Sequence, residues 1–408
     1  VYKRQIRSIP NPLDDAMQID DAQLAKLRAD TPACAELIHF NNAGASLMPA
    51  PVFEAVTAHL ELERRIGGYE AAAAAEDTLE RLYTAFAELL GADAAEIAFV
   101  ENATRAWDMA FYAMPLEPGD RLIVHSSEYA SSYLAFLQLA ARRGIEIDIA
   151  PSDATGQIDV GALPAMVTPR TKLINLVHVP TQSGLINPAE AVGRFAREYG
   201  LVYFLDACQS VGQLDLDVGR LGCHVLSGTG RKFLRGPRGT GFLYVSSEIV
   251  DELDPPFIDM RAATWTAMAD YELKPGARRF ENWESFVAGR AGLASAVDYA
   301  LRIGLPAIED RLVSLAATLR ERLASLNGIE VLDRGERLGG ICTFRSAKES
   351  ATELAARLRR ERVNISVTDT ASARLDLEAR GIDELARASV HYFNTEDEIE
   401  RFVWLLSG

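Results

Sequence analysis

The chain alternates short apolar runs with longer amphipathic stretches through its first two-thirds. Runs that are almost wholly apolar, such as residues 172–179 and 201–207, are typical of strands buried on both faces of a sheet. Strand and helix patterns that alternate at this spacing predict an α/β fold with a mostly parallel sheet. The predicted strands are residues 36–40, 96–100, 121–125, 145–150, 172–179, 201–207, 224–227 and 240–245. The predicted helices are residues 52–65, 69–90, 106–114, 132–143 and 189–199.

The pattern changes near residue 250, after a break at residues 254–256. Beyond it the strand and helix patterns are segregated, which predicts a smaller α+β domain. We therefore predict three parts: an N-terminal arm or small-domain segment at residues 1–30, a large domain at residues 31–258, and an interdomain segment with a small C-terminal domain at residues 259–408. In the last part, residues 260–283 are predicted to be irregular. Helices are predicted at residues 285–326, with an interruption near 304–306, and at 351–361. Strands are predicted at residues 330–333, 340–344, 363–367 and 388–393.

Composition excludes several classes of protein. The 408 residues include 42 basic and 58 acidic side chains, a net charge of −16, which argues against a nucleic-acid partner. No apolar run approaches the roughly 18–20 residues that span a bilayer, so no membrane partner is expected. Residues 1–10 are basic with no apolar stretch after them, and we expect either a disordered arm or a cloning remnant rather than a secretory signal.

The cysteines and common motifs narrow the chemistry further. The four cysteines are scattered without a CxxC pair, so we expect reduced thiols in a cytoplasmic protein, with neither a disulfide framework nor a thiolate zinc site. The sequences HExxH and GxxxxGK[ST] are both absent, which removes the commonest zincin and P-loop interpretations. We expect no metal. The cysteines are Cys34, Cys208, Cys223 and Cys342.

Two segments carry candidate chemistry. In LVYFLDACQS, residues 201–210, an apolar strand ends in Asp206, and Gln209 follows three residues later. A carboxylate at the end of such a strand stands where open α/β sheets bind ligands, although a helix N-cap is an equally simple role for it. In SGTGRKFLRGPRGTGFLYV, residues 227–245, the glycines do not have dinucleotide-binding spacing, and Lys232 is either a solvated loop charge or a placed amine.

Taken together, these two segments resemble the fold-type I pyridoxal-phosphate (PLP) enzymes, and within them the class V aminotransferase and cysteine desulfurase group. Asp206 and Gln209 precede Lys232 by the expected distance, and the resemblance runs from NNAGAS, at residues 41–46, to the tail ARASVHYFNTEDEIERF, at residues 386–402. It implies a large PLP-binding domain with a mostly parallel seven-stranded sheet, a smaller α+β C-terminal domain, PLP as cofactor and an amino acid as small-molecule substrate. It also implies a homodimer.

The resemblance implies roles for the residues around the cofactor ring. Lys232 would bond to the cofactor aldehyde and act as catalytic base, Asp206 would face the pyridine nitrogen, and Gln209 would lie near the ring hydroxyl. Thr181, in HVPTQSGLINP, stands where the family has an asparagine, a departure that resembles the epimerase and C–S lyase branches. Tyr129, in EYASSY, would stack on the ring and donate a proton, with core packing as the alternative.

The resemblance also implies anion contacts. Ala103 and Thr104 would hold the cofactor phosphate at a helix N-terminus, with a plain N-cap as a further or alternative role for Thr104. Thr229 and Arg231 would replace the Ser and His usual in cysteine desulfurases. Arg387 would bind the substrate carboxylate, with a surface salt bridge as the alternative. In RRFENWE, residues 278–284, which resembles a segment that reaches the neighbouring subunit's phosphate, Trp283 and Glu284 replace the usual Gly-Thr pair, so we expect Asn282 to make that contact.

The predicted reaction depends on a missing residue. Cysteine desulfurases carry a catalytic cysteine shortly before the carboxylate-binding arginine, and residues 365–387 contain none. The tail, GRKFLRGPRG and HVPTQSG resemble hercynylcysteine sulfoxide lyase and its relatives, so we expect β-elimination from an S-substituted cysteine, giving pyruvate and ammonia. An isopenicillin-N-type epimerase and an aminotransferase are the alternatives. A non-catalytic relative is disfavoured because Asp206 and Lys232 are present, and a nicotinamide-dependent dehydrogenase by the glycine spacing.

Overall fold

The computed structural model describes residues 18–407, so the predictions for residues 1–10 lie outside the described residues. Its helices are α1 Asp21–Ala29, α2 Ala50–Ile66, α3 Gly68–Ala74, α4 Glu76–Leu90, α5 Ala103–Tyr112, α6 Ala130–Arg143, α7 Ala189–Glu198, α8 Val218–Leu221, α9 Val287–Ile303, α10 Leu305–Ala324, α11 Ala351–Arg360, α12 Arg374–Ala379 and α13 Glu396–Ser407. Its strands are β1 Ile38–His39, β2 Ile97–Val100, β3 Arg121–His125, β4 Glu146–Ala150, β5 Thr171–Val177, β6 Val202–Asp206, β7 Val225–Thr229, β8 Gly241–Val245, β9 Ala263–Ala267, β10 Asp270–Leu273, β11 Ile329–Val331, β12 Ile341–Ser346, β13 Val363–Asn364, β14 Ser366–Asp369 and β15 Glu384–Ser389.

Seven strands form the central sheet, in the order β2-β8-β7-β6-β5-β3-β4. Strand β8 runs antiparallel to both of its neighbours, and every other pair that bonds directly is parallel. The predicted α/β fold with a mostly parallel seven-stranded sheet is confirmed. The predicted strand at 36–40 is not part of this sheet, because Ile38 and His39 pair with Val363 and Asn364 instead.

Both faces of the sheet are covered, as the apolar strands predict. In β6, Tyr203 and Leu205 belong to one buried cluster, while Phe204 between them belongs to another. Successive side chains of a strand point to opposite faces, so one strand contributes to two cores. Burying such a side chain contributes about 1.5–3 kcal/mol, and the rigid sheet that results fixes the strand ends where the candidate residues lie.

A second sheet, β11-β12-β15-β14, is wholly antiparallel and packs a separate core that includes Phe344 and Phe402. This is the smaller α+β part, and the domain boundaries at residues 31 and 259 stay predictions. The predicted strand 363–367 is wrong as one strand, because it divides between two sheets. Residues 260–283, predicted irregular, contain the β9–β10 hairpin. Helices α1, α8 and α12 were not predicted, and the single helix predicted at 69–90 divides at Ala75.

The predicted strand 388–393 is also wrong, since β15 ends at Ser389. The buried residues after it turn beneath the loop that carries Lys232 instead of continuing the sheet. His391 Nε2 lies 2.9 Å from the Phe233 carbonyl oxygen, and the Tyr392 hydroxyl accepts from Arg235 Nη1 at 2.9 Å. Continuous apolar character indicated burial there, but could not distinguish a strand from a packed turn.

Candidate active site

A cavity of about 190 Å³ lies at the carboxyl ends of β5, β6 and β7. In open α/β sheets, this edge is where ligands bind. Nine of the sequence-predicted site residues line the cavity together: Ala103, Thr104, Tyr129, Thr181, Asp206, Gln209, Thr229, Arg231 and Lys232.

Lys232 and Asp206 are the central charged pair of this cavity. Burial lowers the pKa of the Lys232 amine, with Arg231 adding to the effect, and burial raises the pKa of the Asp206 carboxyl. Asp206 Oδ1 accepts a hydrogen bond from the Cys208 backbone N–H at 2.8 Å, and no helix begins directly after it. The helix-cap alternative for Asp206 and the solvated-charge alternative for Lys232 therefore do not describe this structure.

The loop that carries Lys232 is closed by backbone hydrogen bonds and by small residues. Gly236 N–H donates to the Gly230 carbonyl at 2.7 Å, and Gly230 N–H donates to the Thr240 carbonyl at 3.0 Å. A Cβ atom on Gly230 would lie 2.4 Å from Thr240 Oγ1, so this approach requires glycine. The tight loop holds Lys232 against the cavity.

The N-terminus of α5 forms one end of the cavity. Asn102 caps the helix, with its Oδ1 accepting from Arg105 N–H at 2.9 Å, so the N-cap role considered for Thr104 is wrong. Helix α5 begins at Ala103, where the phosphate-site prediction requires it, and not at residue 106, where the apolar pattern alone begins. The first N–H groups of a helix have no acceptor within it, so Ala103 and Thr104 present donors suited to an anion. Gly241 allows strand β8 to pack closely against the start of α5, since a Cβ atom at this position would lie 2.7 Å from the Asn102 carbonyl carbon.

Thr229 and Arg231 lie on the cavity wall, but both side chains have partners in the protein. The Thr229 hydroxyl donates to the Thr240 carbonyl at 3.2 Å, and Arg231 Nη1 donates to the Gly44 carbonyl. To bind an anion, Arg231 would use the guanidinium N–H groups that do not contact Gly44. Thr229 would have to rotate its hydroxyl away from the Thr240 carbonyl.

Arg387 lies behind Thr181, a residue that lines the cavity, and hydrogen-bonds to it. Its Nη1 donates to the Thr181 carbonyl at 3.0 Å and to the Thr181 hydroxyl, and Nη2 lies 3.3 Å from Ser366 Oγ. The residue is 6% exposed, its Nε has no partner, and within residues 18–407 no carboxylate pairs with it. Burial lowers the pKa of Arg387 to about 10. This arrangement does not fit the surface salt-bridge alternative.

Tyr129 and Gln209 complete the wall near Thr181. Tyr129 precedes α6 and is 38% exposed, which does not fit the core-packing alternative. Gln209 Nε2 donates to the Ala43 carbonyl at 3.2 Å and approaches Thr181 Oγ1 at 3.4 Å. Its Oε1 is buried with no protein donor, so it has an accepting position free for a ligand.

Two predicted site residues, Arg387 and Asn282, are not part of the cavity lining. Arg387 hydrogen-bonds to the lining residue Thr181, whereas Asn282 Nδ2 donates to Glu101 Oε1 at 3.0 Å. The predicted contact of Asn282 was to a neighbouring subunit's phosphate, and it stays a prediction.

Several lining residues were not predicted. Trp107 and Asp108 follow Ala103 and Thr104 by one helical turn on the same face of α5, and burial raises the pKa of Asp108 to about 6. The helical spacing was a signal that could have found them. Ser131, Ser132 and Cys208 also line the cavity.

Metal-binding side chains and membrane-spanning helices are the two remaining features that the sequence made predictions about. Within residues 18–407, no group of three or more His, Cys, Asp or Glu side chains could hold a metal ion. The described helices include none long and apolar enough to cross a membrane.

Comparison with known proteins decides the family. The family model described as aminotransferase class-V matches residues 38–402. The chain belongs to this family. The predicted resemblance is therefore confirmed, and the chain is a PLP-dependent class V enzyme similar to cysteine desulfurases.

Individual relatives agree with the class V assignment. A protein named "Probable cysteine desulfurase" from Methanothermobacter thermautotrophicus is 27% identical over 383 residues, which cover 92% of this chain and 95% of the relative. The structure of a cysteine desulfurase from Thermococcus onnurineus NA1 matches with a TM-score of 0.88 and 26% identity, covering 94% of this chain and 97% of that one.

A third protein, C-DES, shares the fold at 24% sequence identity. One structure holds glycine linked to PLP, with a TM-score of 0.85 and coverage of 93% of this chain and 98% of that one. Another structure is a complex of this cystine C–S lyase with its product cysteine persulfide. It matches with a TM-score of 0.84 and covers 92% of this chain and 99% of that one.

The residues of the cavity fit the cofactor of the class V family. Gln209 Oε1 is a buried acceptor without a donor, and α5 presents unpaired N–H groups at the cavity end. Between them lie an amine whose pKa is lowered by burial and a carboxylate, the groups that a pyridoxal ring requires for bonding its aldehyde and pairing its nitrogen.

Proposed function

We propose that this class V enzyme is a C–S lyase that cleaves S-substituted cysteines or their sulfoxides without an enzyme persulfide. The supporting observation is the position of a segment that contains no thiol. Residues 365–387 hold no cysteine, and the Ser372 carbonyl in that segment accepts from Ala130 N–H at 3.1 Å, directly beside Tyr129. The segment in which cysteine desulfurases carry their catalytic cysteine therefore packs next to the cavity residue Tyr129, and in this chain it contains no thiol.

The four cysteines of the chain do not replace that missing nucleophile. Cys208 is the one that lines the cavity, and burial raises the pKa of its thiol to about 12, so it is not a thiolate at neutral pH. Cys223 and Cys342 are buried, and burial raises the pKa of each. Cys34 lies outside the cavity lining.

The proposal assigns the residues that would hold the cofactor. Lys232 would bond to the aldehyde, Asp206 would pair with the pyridine nitrogen, and Gln209 and Thr181 would lie near the ring hydroxyl. Tyr129 would cover the ring. Ala103, Thr104, Thr229 and Arg231 would hold the phosphate, with Asn282 reaching a partner subunit's phosphate.

The chain's own residues would carry the proton transfers. PLP, when bound, accepts the electron pair released at the substrate Cα. The Lys232 amine, whose pKa is lowered by burial, would remove the Cα proton, and the C–S bond would break with its electron pair leaving on sulfur. Tyr129 would supply the proton that the sulfur takes. With one water, the balanced products are a thiol, or a sulfenic acid from a sulfoxide, together with pyruvate and ammonium.

Arg387 would orient the substrate. A buried guanidinium with no carboxylate partner in residues 18–407 is an incomplete ion pair, and the α-carboxylate of an amino acid completes it. A bidentate contact would also fix the rotation about Cα and so select which bond is broken.

Pyruvate release tests the proposal. The PLP-loaded chain is incubated with S-alkyl cysteines, their sulfoxides, cystine and cysteine, with the Lys232→Ala variant as control. We expect pyruvate and ammonium in equal amounts with the natural chain and neither with the variant. Keto acid that forms only when an amino acceptor is added, inversion at Cα without pyruvate, or alanine formed from cysteine would each contradict the lyase and indicate an aminotransferase, an epimerase or a desulfurase.

The assembly and location of the chain are proposed as well. We propose a homodimer, supported by the exposed apolar side chains around the β9–β10 hairpin, where Trp265 is 80% and Met268 95% exposed. The cytoplasmic location stays a prediction from the unpaired cysteines.

A further inference from the structure

A buried carboxyl group, Glu128, lies behind the cavity and takes no part in the proposed reaction. It is 3% exposed, and its neighbours join it to two cavity walls. Trp107 Nε1 donates to Asn175 Oδ1 at 3.0 Å, and Asn175 Nδ2 donates to Glu128 Oε1 at 2.6 Å. On the other side, Ser132 Oγ lies 2.9 Å from Glu128 Oε2 and 2.9 Å from the Tyr129 carbonyl oxygen.

The side-chain partners of Glu128 are neutral groups. The Tyr129 carbonyl already accepts from Tyr133 N–H at 3.1 Å, so the single hydrogen of the Ser132 hydroxyl can point to either neighbouring oxygen. Ser132 can therefore accept from a protonated Glu128 or donate to an ionised one. Within residues 18–407 the side chains bonded to Glu128 are Asn175 and Ser132, and a buried carboxyl group bonded to neutral side chains favours its neutral form. In that form Trp107 donates to Asn175, Asn175 to Glu128, and Glu128 to Ser132.

The charges around Glu128 favour the same state. The titratable groups that face it are Asp206 at the end of β6 and Tyr133 on α6, while β5 and α5 contribute Asn175 and Trp107, which do not titrate. Burial, with the Asp206 charge adding to it, raises the pKa of Glu128 to about 8. Two adjacent buried carboxylates repel each other, so the protein keeps one of them neutral.

We propose that Glu128 is a positioning residue which, as a neutral carboxylic acid, links Trp107 and Tyr129 across the back of the cofactor cavity and adds no second negative charge beside Asp206. Trp107 is also held by stacking on Phe111, with ring centroids 4.6 Å apart, so the chain of hydrogen bonds connects a rigid aromatic cluster to the N-terminus of α6. The proposal rests on the assignment of this cavity to the cofactor, whereas the protonation of Glu128 can be tested without it.

A pair of variants tests the hydrogen-bond chain. In Glu128→Gln, the amide oxygen accepts from Asn175 and the amide nitrogen donates to Ser132, as the neutral acid does. Glu128→Leu fills similar space and makes neither bond. We expect the PLP dissociation constant of the Gln variant to stay within about twofold of the natural chain, and that of the Leu variant to rise at least about tenfold. Equal weakening in both variants would overturn the proposal, because it would show that an ionised carboxylate is required.

The pH dependence of unfolding provides a readout independent of the cofactor. The folded chain keeps a proton on Glu128 up to about pH 8, while the unfolded chain loses it near pH 4.5, so this residue's contribution to stability is complete below pH 4.5 and lost as the pH rises to about 8. The free energy of unfolding of the natural chain should therefore fall across that window relative to Glu128→Gln. The exposed variant Glu36→Gln is the matched control and should show no such change. A difference between natural chain and Gln variant that does not vary with pH would overturn the proposal, whatever reaction the enzyme catalyses.

Discussion

Burial acts on Lys232 and Arg387 in the same direction and with different chemical consequences. It lowers the pKa of each, but a lysine can lose its proton, while a guanidinium remains charged at neutral pH. The lowered pKa of Lys232 increases the fraction present as a free amine, the form that can bond to an aldehyde or take up a proton. Arg387 remains a cation in need of an anion, and the amino-acid carboxylate is the anion that the proposed substrate supplies.

Replacement of Arg387 separates substrate binding from cofactor binding. We expect Arg387→Ala to raise KM for the amino-acid substrate on the order of 100-fold, because it removes the partner of a buried carboxylate. The PLP dissociation constant should change much less, since the predicted cofactor contacts lie on other residues. Steady-state kinetics and a spectroscopic PLP titration measure the two effects, and an equal loss of both would show that the carboxylate site lies elsewhere.

Single residues were predictable from sequence where their chemistry depends on short motifs. Asp206, Gln209 and Lys232 stand at fixed spacings in two segments, and the structure brings them to one cavity. Glu128 gave no such signal, because its environment depends on the packing of Asn175 from a different strand.

At the scale of elements, the start of α5 depends on how closely β8 can approach it. Asn102 fixes the first turn, and Gly241 at the beginning of β8 leaves room for the Asn102 backbone. The helix pattern alone begins later, because apolar periodicity does not register the polar cap and first turn. The element that presents donors to the phosphate is thus positioned by a glycine distant in sequence.

A methyl group at Gly241 should disturb this end of the cavity. The Cβ atom of Gly241→Ala would lie 2.7–2.9 Å from backbone atoms of Asn102 and Gly228, which cannot rotate away as a side chain would. We expect the PLP dissociation constant to rise about tenfold or more, as the first turn of α5 is displaced. Gly68→Ala, where nothing lies within 4 Å, is the matched control. Unchanged PLP binding in Gly241→Ala would contradict the placement of the phosphate at this helix.

Across the whole molecule, the alternation of elements was predictable and their long-range pairings were not. Apolar strands between amphipathic helices predicted the α/β class, and the seven-stranded sheet confirms it. The antiparallel insertion of β8 and the pairing of β1 with β13 depend on contacts between segments far apart in the chain. The fully buried Arg235 makes two more contacts of this kind from the loop that carries Lys232. Its Nη2 donates to Thr31 Oγ1 at 2.6 Å, and its Nη1 donates to the Tyr392 hydroxyl at 2.9 Å.

The position of the covalent bond to PLP tests the account most directly. The chain has six lysines, so reduction of the PLP-loaded protein with borohydride, followed by peptide mass spectrometry, identifies the amine that carries the cofactor. We expect the mass of reduced cofactor on the peptide containing Lys232, and none in Lys232→Ala, whose visible absorption band should also be absent. Cofactor attached to any of the other five lysines, or an unchanged band in the variant, would contradict it.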